Sequence, residues 1–215
     1  MKTSSKKIID NLVNCYPHLL SCYESVTQGV YEIVNCYKND NKILVCGNGG
    51  SAADALHIVG ELMKSFVLPR KLAYDTEAII REVCKDSGEY LINNLQGSLP
   101  AISLVNETSL ISAYSNDMSP DLYFAQQVFG YGKTGDILIA ISTSGNSKNV
   151  IYACEIAKVK NIKVIALTGN NGGKLQGLSD VLINVPENET YKIQELHLPV
   201  YHAICLAVEN EFFGI

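Results

Sequence analysis

His57 and Glu61 stand four residues apart, and Gln194 and His202 stand eight apart, each pair in a stretch that reads as helix. Residues four apart on a helix share a face, so His57 and Glu61 point the same way. Eight residues make a little over two turns, which returns His202 to within about 80° of Gln194. Imidazole, carboxylate and amide oxygen form a donor set that suits a borderline cation such as zinc. The spacing matches no short standard motif, and a solvated His/Glu pair on a surface helix is the alternative. His197 competes with His202: it is three residues from Gln194, and five residues from His202 it faces roughly the other side. Spacing leaves that choice open. His18, beside Pro17, has no partner in sequence and reads as structural.

Two loops rich in Gly and Ser accompany these residues. Gly47-Asn48-Gly49-Gly50-Ser51 follows one apolar run, and Ser142-Thr143-Ser144-Gly145-Asn146-Ser147 follows another. Backbone N–H groups in such a turn, opening onto a helix N-terminus, form an anion site, and hydroxyls add donors. One such loop alone is often only a tight turn; two at strand ends favour a phosphate cradle. Neither matches the nucleotide-triphosphatase loop or GxGxxG. Thr168–Gly173 reads as a turn, because Gly and Asn tolerate positive φ. The combination points to a metal-assisted enzyme acting on a phosphorylated small molecule.

The elements that must position these residues alternate in type. Strands are expected at 42–46, 101–105, 136–141, 163–167 and 181–185. Helices are expected at about 52–65, 75–85, 148–159 and 193–212. Continuously apolar strands between helices indicate a parallel sheet covered on both faces, so the fold class is α/β, a three-layer α/β/α sandwich. Sites in such sheets lie at the carboxyl ends of the strands, where the polar loops are. Residues 5–37 carry apolar positions at helical spacing, divided at Pro17. Those N-terminal helices suit oligomerisation or packing within the chain equally well. Residues 66–100 are irregular by comparison.

Composition sets the frame. The chain has 215 residues, 47% hydrophobic and 18% charged, with net charge −5. That is globular composition, without the basic surface that nucleic-acid binding needs. Seven cysteines, an odd count without CxxC, suggest neither a disulfide framework nor a cysteine zinc site; they read as small core residues in a reducing compartment, Cys46 included. The N-terminus lacks a signal-peptide pattern, and no window approaches the roughly 20 apolar residues of a membrane span. A cytoplasmic protein, with no membrane and no nucleic-acid partner, is expected.

Four segments, CGNGGSAADALHIVGEL, DILIAISTSGNSKNVI, VIALTGNNGG and IQELHLPVYHAI, resemble the sugar isomerase (SIS) family. Within it they are most similar to the phosphoheptose isomerases, which interconvert sedoheptulose 7-phosphate and D-glycero-D-manno-heptose 7-phosphate. The resemblance covers residues 41–65 and 101–212 well and the N-terminal helices loosely. The STSGNS loop marks the SIS fold in general; HxxxE with QxxxxxxxH points to the isomerase branch. It implies one SIS domain over residues 1–215, with a helical lead-in at 1–40 and a longer insert at 66–100.

The resemblance further implies Zn2+ on His57, Glu61, Gln194 and His202. It implies substrate contacts from Asn48, Gly49, Gly50, Glu61, Asn116, Asp117, Ser142, Thr143, Ser144, Ser147 and Gln194, and Ser51 fits the same loop. It implies a homotetramer with sites between subunits, and a product used for heptose in surface polysaccharide. An aldose–ketose shift through an enediol needs a base for the carbon acid and an acid for the carbonyl oxygen; Glu61 is assigned as base and His202 as acid. A carboxylate held on zinc is a weaker base, so the two roles could be reversed. Two departures bear on the substrate: the longer 66–100 stretch, which follows the Glu61 helix, and Tyr191 where an acidic residue is expected. The alternatives are an isomerase of another sugar phosphate and a non-catalytic SIS protein that senses a sugar phosphate or binds a replication-initiation partner. A non-catalytic protein would have lost the acid/base and metal residues that this chain keeps. An SIS-type transcriptional regulator would need a further DNA-binding domain, for which this chain has no room.

Overall fold

The structure, a computed structural model, describes residues 1–214. Its centre is a sheet of five parallel strands: β1 (Ile43–Gly47), β2 (Ala101–Ser103), β3 (Ile137–Ile141), β4 (Lys163–Thr168) and β5 (Val181–Asn184), in the order β2-β1-β3-β4-β5. Every expected strand is present, with ends moved by one or two residues. All five residues of β1 and all five of β3 are buried, as central strands covered on both faces must be.

The side chains of these strands alternate between two cores. Ile43, Val45, Ile137, Ile139, Ile141, Ile165 and Leu167 face one layer of helices. That layer holds α1 (Thr3–Cys15), α2 (Tyr23–Lys38), α3 (Gly50–Met63) and α9 (Thr190–Phe213). Leu44, Cys46, Leu138, Ala140, Val164 and Ala166 face the other layer, built on α7 (Tyr123–Tyr131) and α8 (Lys148–Val159). The result is the expected three-layer α/β/α sandwich, the period of two in each strand dividing its residues between the layers.

A short 3-10 helix, Pro17–Cys22, separates α1 from α2, with Pro17 where its missing N–H costs nothing. The N-terminal helices pack within the chain. Ile9 and Leu12 of α1 are buried, and Asn210 of α9 donates to the Ser5 hydroxyl at 2.8 Å.

Residues 66–100 are more regular than expected, containing α4 (Tyr74–Val83) and α5 (Gly88–Asn94). Only α4 was legible from periodicity. No residue of α4 is buried, and Arg81 joins the two helices by pairing with Glu77 and Glu89. Periodicity also failed to announce α6 (Thr108–Asp117) and α7. The first buries no residue, so its sequence carries no apolar stripe to read.

Five cysteines are buried as expected, but Cys15 is exposed and Cys84 partly so; all seven are free thiols. Among the described residues no helix is long and apolar enough to cross a membrane.

Candidate active site

The loop after β1 turns sharply into α3. Gly49 has φ 57°, in the region that favours glycine, and Ser51 N–H donates to the Asn48 carbonyl at 3.0 Å. The loop after β3 turns into α8 in the same way. There Ser142 Oγ and Ser147 Oγ lie 3.0 Å apart, and Asn146 N–H reaches Ser144 Oγ at 3.2 Å. Gly145 has φ 64°, and a Cβ on it would overlap the Gly172 carbonyl oxygen. The Thr168–Gly173 turn, with positive φ at Gly172 and Gly173, therefore supports the Ser142–Ser147 loop from below. Gly169 N–H donates to Thr143 O at 2.9 Å, fastening the two. Both Gly/Ser loops thus sit at the carboxyl edge of adjacent strands β1 and β3, each opening onto a helix N-terminus.

A polar bridge joins the first loop to the start of α8, and sequence reasoning missed two of its three members. Asn48 Nδ2 donates to Asn149 Oδ1 at 2.8 Å, and Asn149 Nδ2 donates back to Asn48 Oδ1 at 2.9 Å. The Tyr123 hydroxyl also reaches Asn48 Oδ1, at 3.1 Å. Neither Asn149 nor Tyr123 belongs to a Gly-rich run, so only their meeting in space singles them out. Replacing Asn149 with Ala removes both bridging bonds, each worth about 1 kcal/mol. KM for a sugar phosphate is expected to rise roughly tenfold with kcat little changed. Steady-state kinetics check this, and an unchanged KM would remove the bridge from the binding site.

Helices α3 and α9 pack side by side and bring the acid/base candidates together. His57 Nε2 lies 3.2 Å from Glu61 Oε1, and the His57 and His202 rings lie 4.9 Å apart, edge to face. Lys64 Nζ pairs with the other Glu61 oxygen at 3.2 Å. His57 Nδ1 is 3.1 Å from the Tyr201 hydroxyl, which donates to Asp54 Oδ1 at 3.3 Å. Asp54 lies three residues before His57, on the same helix face, so its part in the site was legible in principle. Burial raises the Asp54 carboxyl, against the hydrogen bond from Tyr201 and the nearby His57. Burial also raises the Tyr201 phenol well above its usual value, with the charge of Asp54 adding to it. His202 is pushed down by burial and then by His57, with Glu61 opposing, so its imidazole is neutral at pH 7.

The choice between the two histidines of α9 is made by packing. His197 is fully buried, and its Nε2 lies 3.3 Å from the Thr168 carbonyl. It faces the sheet, whereas His202 faces His57. His18 is exposed, against Tyr16. Gln194 stands apart from the histidine pair. Its amide lies against Gly50 at the start of α3, where a Cβ would be 2.5 Å from Gln194 Nε2. Asn116 and Asp117 close α6 with their side chains bonded to each other at 2.9 Å; among the described residues no hydrogen bond ties them to the loops.

Three of the four expected metal ligands are thus neighbours, though among the described residues no three His, Cys, Asp or Glu side chains form a ready metal cage. Two observations fit a cation there. His202 Nε2 is buried without a hydrogen-bond partner among the described residues. In addition, when the Tyr201 proton goes to Asp54, His57 must donate from Nδ1 to Tyr201. Its Nε2 lone pair then faces the Glu61 carboxylate, two acceptors across a gap that only a proton or a cation can reconcile.

Comparisons with known proteins identify the family of the chain and leave its site residues untested. The SIS domain family matches residues 77–169, which include the Ser142–Ser147 loop but none of His57, Glu61, Gln194 or His202. The phosphoheptose isomerase of Shewanella baltica strain OS155 is 42% identical over 193 residues, covering 88% of this chain and 85% of that protein. The structure of phosphoheptose isomerase GmhA from Neisseria gonorrhoeae superposes with a TM-score of 0.70 at 33% identity, over 94% of this chain and 98% of that one. A phosphoheptose isomerase from Francisella tularensis also superposes with a TM-score of 0.70, at 31% identity over 96% and 93% of the two chains.

Proposed function

Because the chain belongs to the phosphoheptose isomerase family of SIS-domain proteins, we propose that it is a zinc-dependent aldose–ketose isomerase converting sedoheptulose 7-phosphate to D-glycero-D-manno-heptose 7-phosphate. The observation that carries the reading is the meeting of Glu61 with two imidazoles beside a pair of bridged anion loops. A protein that only bound a sugar phosphate would need the loops without the carboxylate, so this juxtaposition favours catalysis over a sensing or replication-initiation role.

The roles follow from the chemistry of the groups. The Gly47–Ser51 and Ser142–Ser147 loops hold the phosphate with backbone N–H groups and hydroxyls, and Asn48 and Gln194 orient the sugar chain. Asn116 and Asp117 complete the substrate contacts in this reading. Glu61 takes the proton from C1 of the ketose while the C2 carbonyl oxygen gains one from His202. The resulting enediol loses its O1 proton and regains a proton at C2, which leaves the aldose. Neutral His202 suits this part, since a neutral imidazole both donates and accepts. His57, Glu61, Gln194 and His202 would hold the zinc, His202 using one ring nitrogen for the metal and the other for its proton. The bound ion would polarise the carbonyl and offset the negative charge that develops on its oxygen.

The proposal extends to a cytoplasmic homotetramer with sites between subunits, making heptose for surface polysaccharide. A cleft of about 230 Å³ between α1 and α9, lined by Ile8, Cys15, Tyr16, Leu198 and His202, supports the shared site. It opens His202 to a surface that a second copy could cover. Turnover of sedoheptulose 7-phosphate, measured on chelated protein with and without added zinc, tests the reading. Zinc-restored formation of the heptose phosphate is expected. A folded, zinc-loaded protein that leaves the ketose untouched would sink the substrate assignment, and full activity after chelation would sink the metal.

A further inference from the structure

Two charged side chains outside the acid/base set are completely buried: Arg70, in the segment after α3, and Glu209, on α9, each with no exposed side-chain area. We propose that this pair is a positioning device for the isomerisation, holding the Glu61 turn of α3 in register with the part of α9 that carries His202. The inference rests on the reading of Glu61 as base and His202 as acid.

The guanidinium reaches three oxygens at once. Arg70 Nε donates to Glu209 Oε1 at 2.8 Å, Nη1 to the Leu62 carbonyl at 2.6 Å, and Nη2 to the Glu61 carbonyl at 2.8 Å. The last carbonyls of a helix have no intrahelical partner, and α3 ends at Met63. Arg70 supplies that partner to Glu61 itself and to the next residue. The peptide from which the catalytic carboxylate projects is therefore fixed by a planar fork, which a lysine cannot imitate.

Glu209 closes the other half. Its carboxylate accepts from the backbone N–H groups of Phe66, Val67 and Leu68 at 2.8, 3.0 and 3.2 Å. Burial pushes this carboxyl up, but those bonds and Arg70 outweigh it and hold it below the usual range. The loop so gathered places the Phe66 ring 5.4 Å from the His202 ring. One buried pair thus reaches the backbone of the base on one side and the packing of the acid on the other.

Stability alone is a poor explanation. A buried ion pair returns little net stability against an apolar pair of the same volume. What the apolar pair cannot do is aim two carbonyls and three amides. A displacement of about 1 Å at a reacting group costs on the order of 100-fold in rate. Arg70→Lys keeps the charge and loses the fork. It is expected to lower kcat about tenfold or more with KM within about twofold. The primary isotope effect with C1-deuterated substrate is expected to rise, because proton abstraction becomes slower relative to other steps.

The experiment measures kcat, KM and that isotope effect for sedoheptulose 7-phosphate on zinc-loaded protein, with circular dichroism melting as the folding control. Should the lysine variant fail to fold, Arg70→Met with Glu209→Leu removes both charges together and serves in its place. A folded variant with wild-type kcat and isotope effect overturns the proposal. So does a rate loss that disappears once corrected for the folded fraction. The reading beneath it fails differently: the wild-type protein would then show no turnover at all, or Glu61→Gln would retain it.

Discussion

Glu61→Gln is expected to lower kcat by about 100-fold or more while the protein stays folded. A positioned general base contributes about two to four orders of magnitude, and the amide cannot accept the C1 proton. Size and shape are nearly unchanged; the amide oxygen still accepts from Lys64 and the amide N–H can donate to the His57 Nε2 lone pair, in place of the carboxylate contacts at 3.2 Å. The pair with Lys64, whose side chain is largely exposed, adds little stability. Melting temperature should therefore move by no more than a few degrees. Metal content must be measured alongside, because an amide is also a weaker ligand than a carboxylate. Glu61→Asp separates the two effects: it keeps the charge and draws it back by one methylene, so zinc should be retained while the rate still falls. Wild-type turnover by a folded, zinc-loaded Glu61→Gln protein would take the base role away from this residue.

Acidification below neutrality is expected to cost stability through His197, which takes no part in the proposed reaction. Burial holds its pKa down to about 4, with the bond to the Thr168 carbonyl opposing. Unfolding returns it to an ordinary value near 6.5. Between those two values the unfolded chain binds the extra proton, so stability rises with pH across that window and is lost as pH falls through it. With about 1.4 kcal/mol per pH unit for one proton, the loss approaches about 3 kcal/mol by pH 4. Glu209 acts lower down. Its folded value is depressed, so its contribution is present above its unfolded value and disappears as pH falls further through the folded one. His202 adds to the slope in the same direction as His197, since its pKa is also lowered. Urea unfolding from pH 7 to pH 4.5, compared with His197→Gln, isolates the buried imidazole. Gln can still donate to Thr168 but does not titrate, so its curve should be flatter; parallel curves for the two proteins would contradict the assignment.

Much of the fold was legible because it rests on local patterns. Five apolar runs between helical stretches pointed to parallel strands, and all five formed them, the central β1 and β3 fully buried. The two Gly/Ser turns were legible for the same reason, since Gly49 and Gly145 stand where positive φ is required and no other residue is comfortable there. His57 and Glu61 came together because a helix dictates it.

The rest depends on which helix faces which. Gln194 and His202 lie on one helix, yet the pairing of α3 with α9 sets one against Gly50 and the other against His57. His197 was as good a candidate as His202 by spacing, and only the sheet it turns toward removes it. Asn149, Tyr123, Arg70 and Glu209 carry no motif at all. Asn149 meets Tyr123 across 26 residues and Arg70 meets Glu209 across 139, and a charge buried at that distance is invisible until packing denies it water. Local periodicity and turn chemistry determined the elements and the Gly/Ser loops. The helix pairing, a long-range consequence of burying two apolar layers on one sheet, decided which polar groups meet.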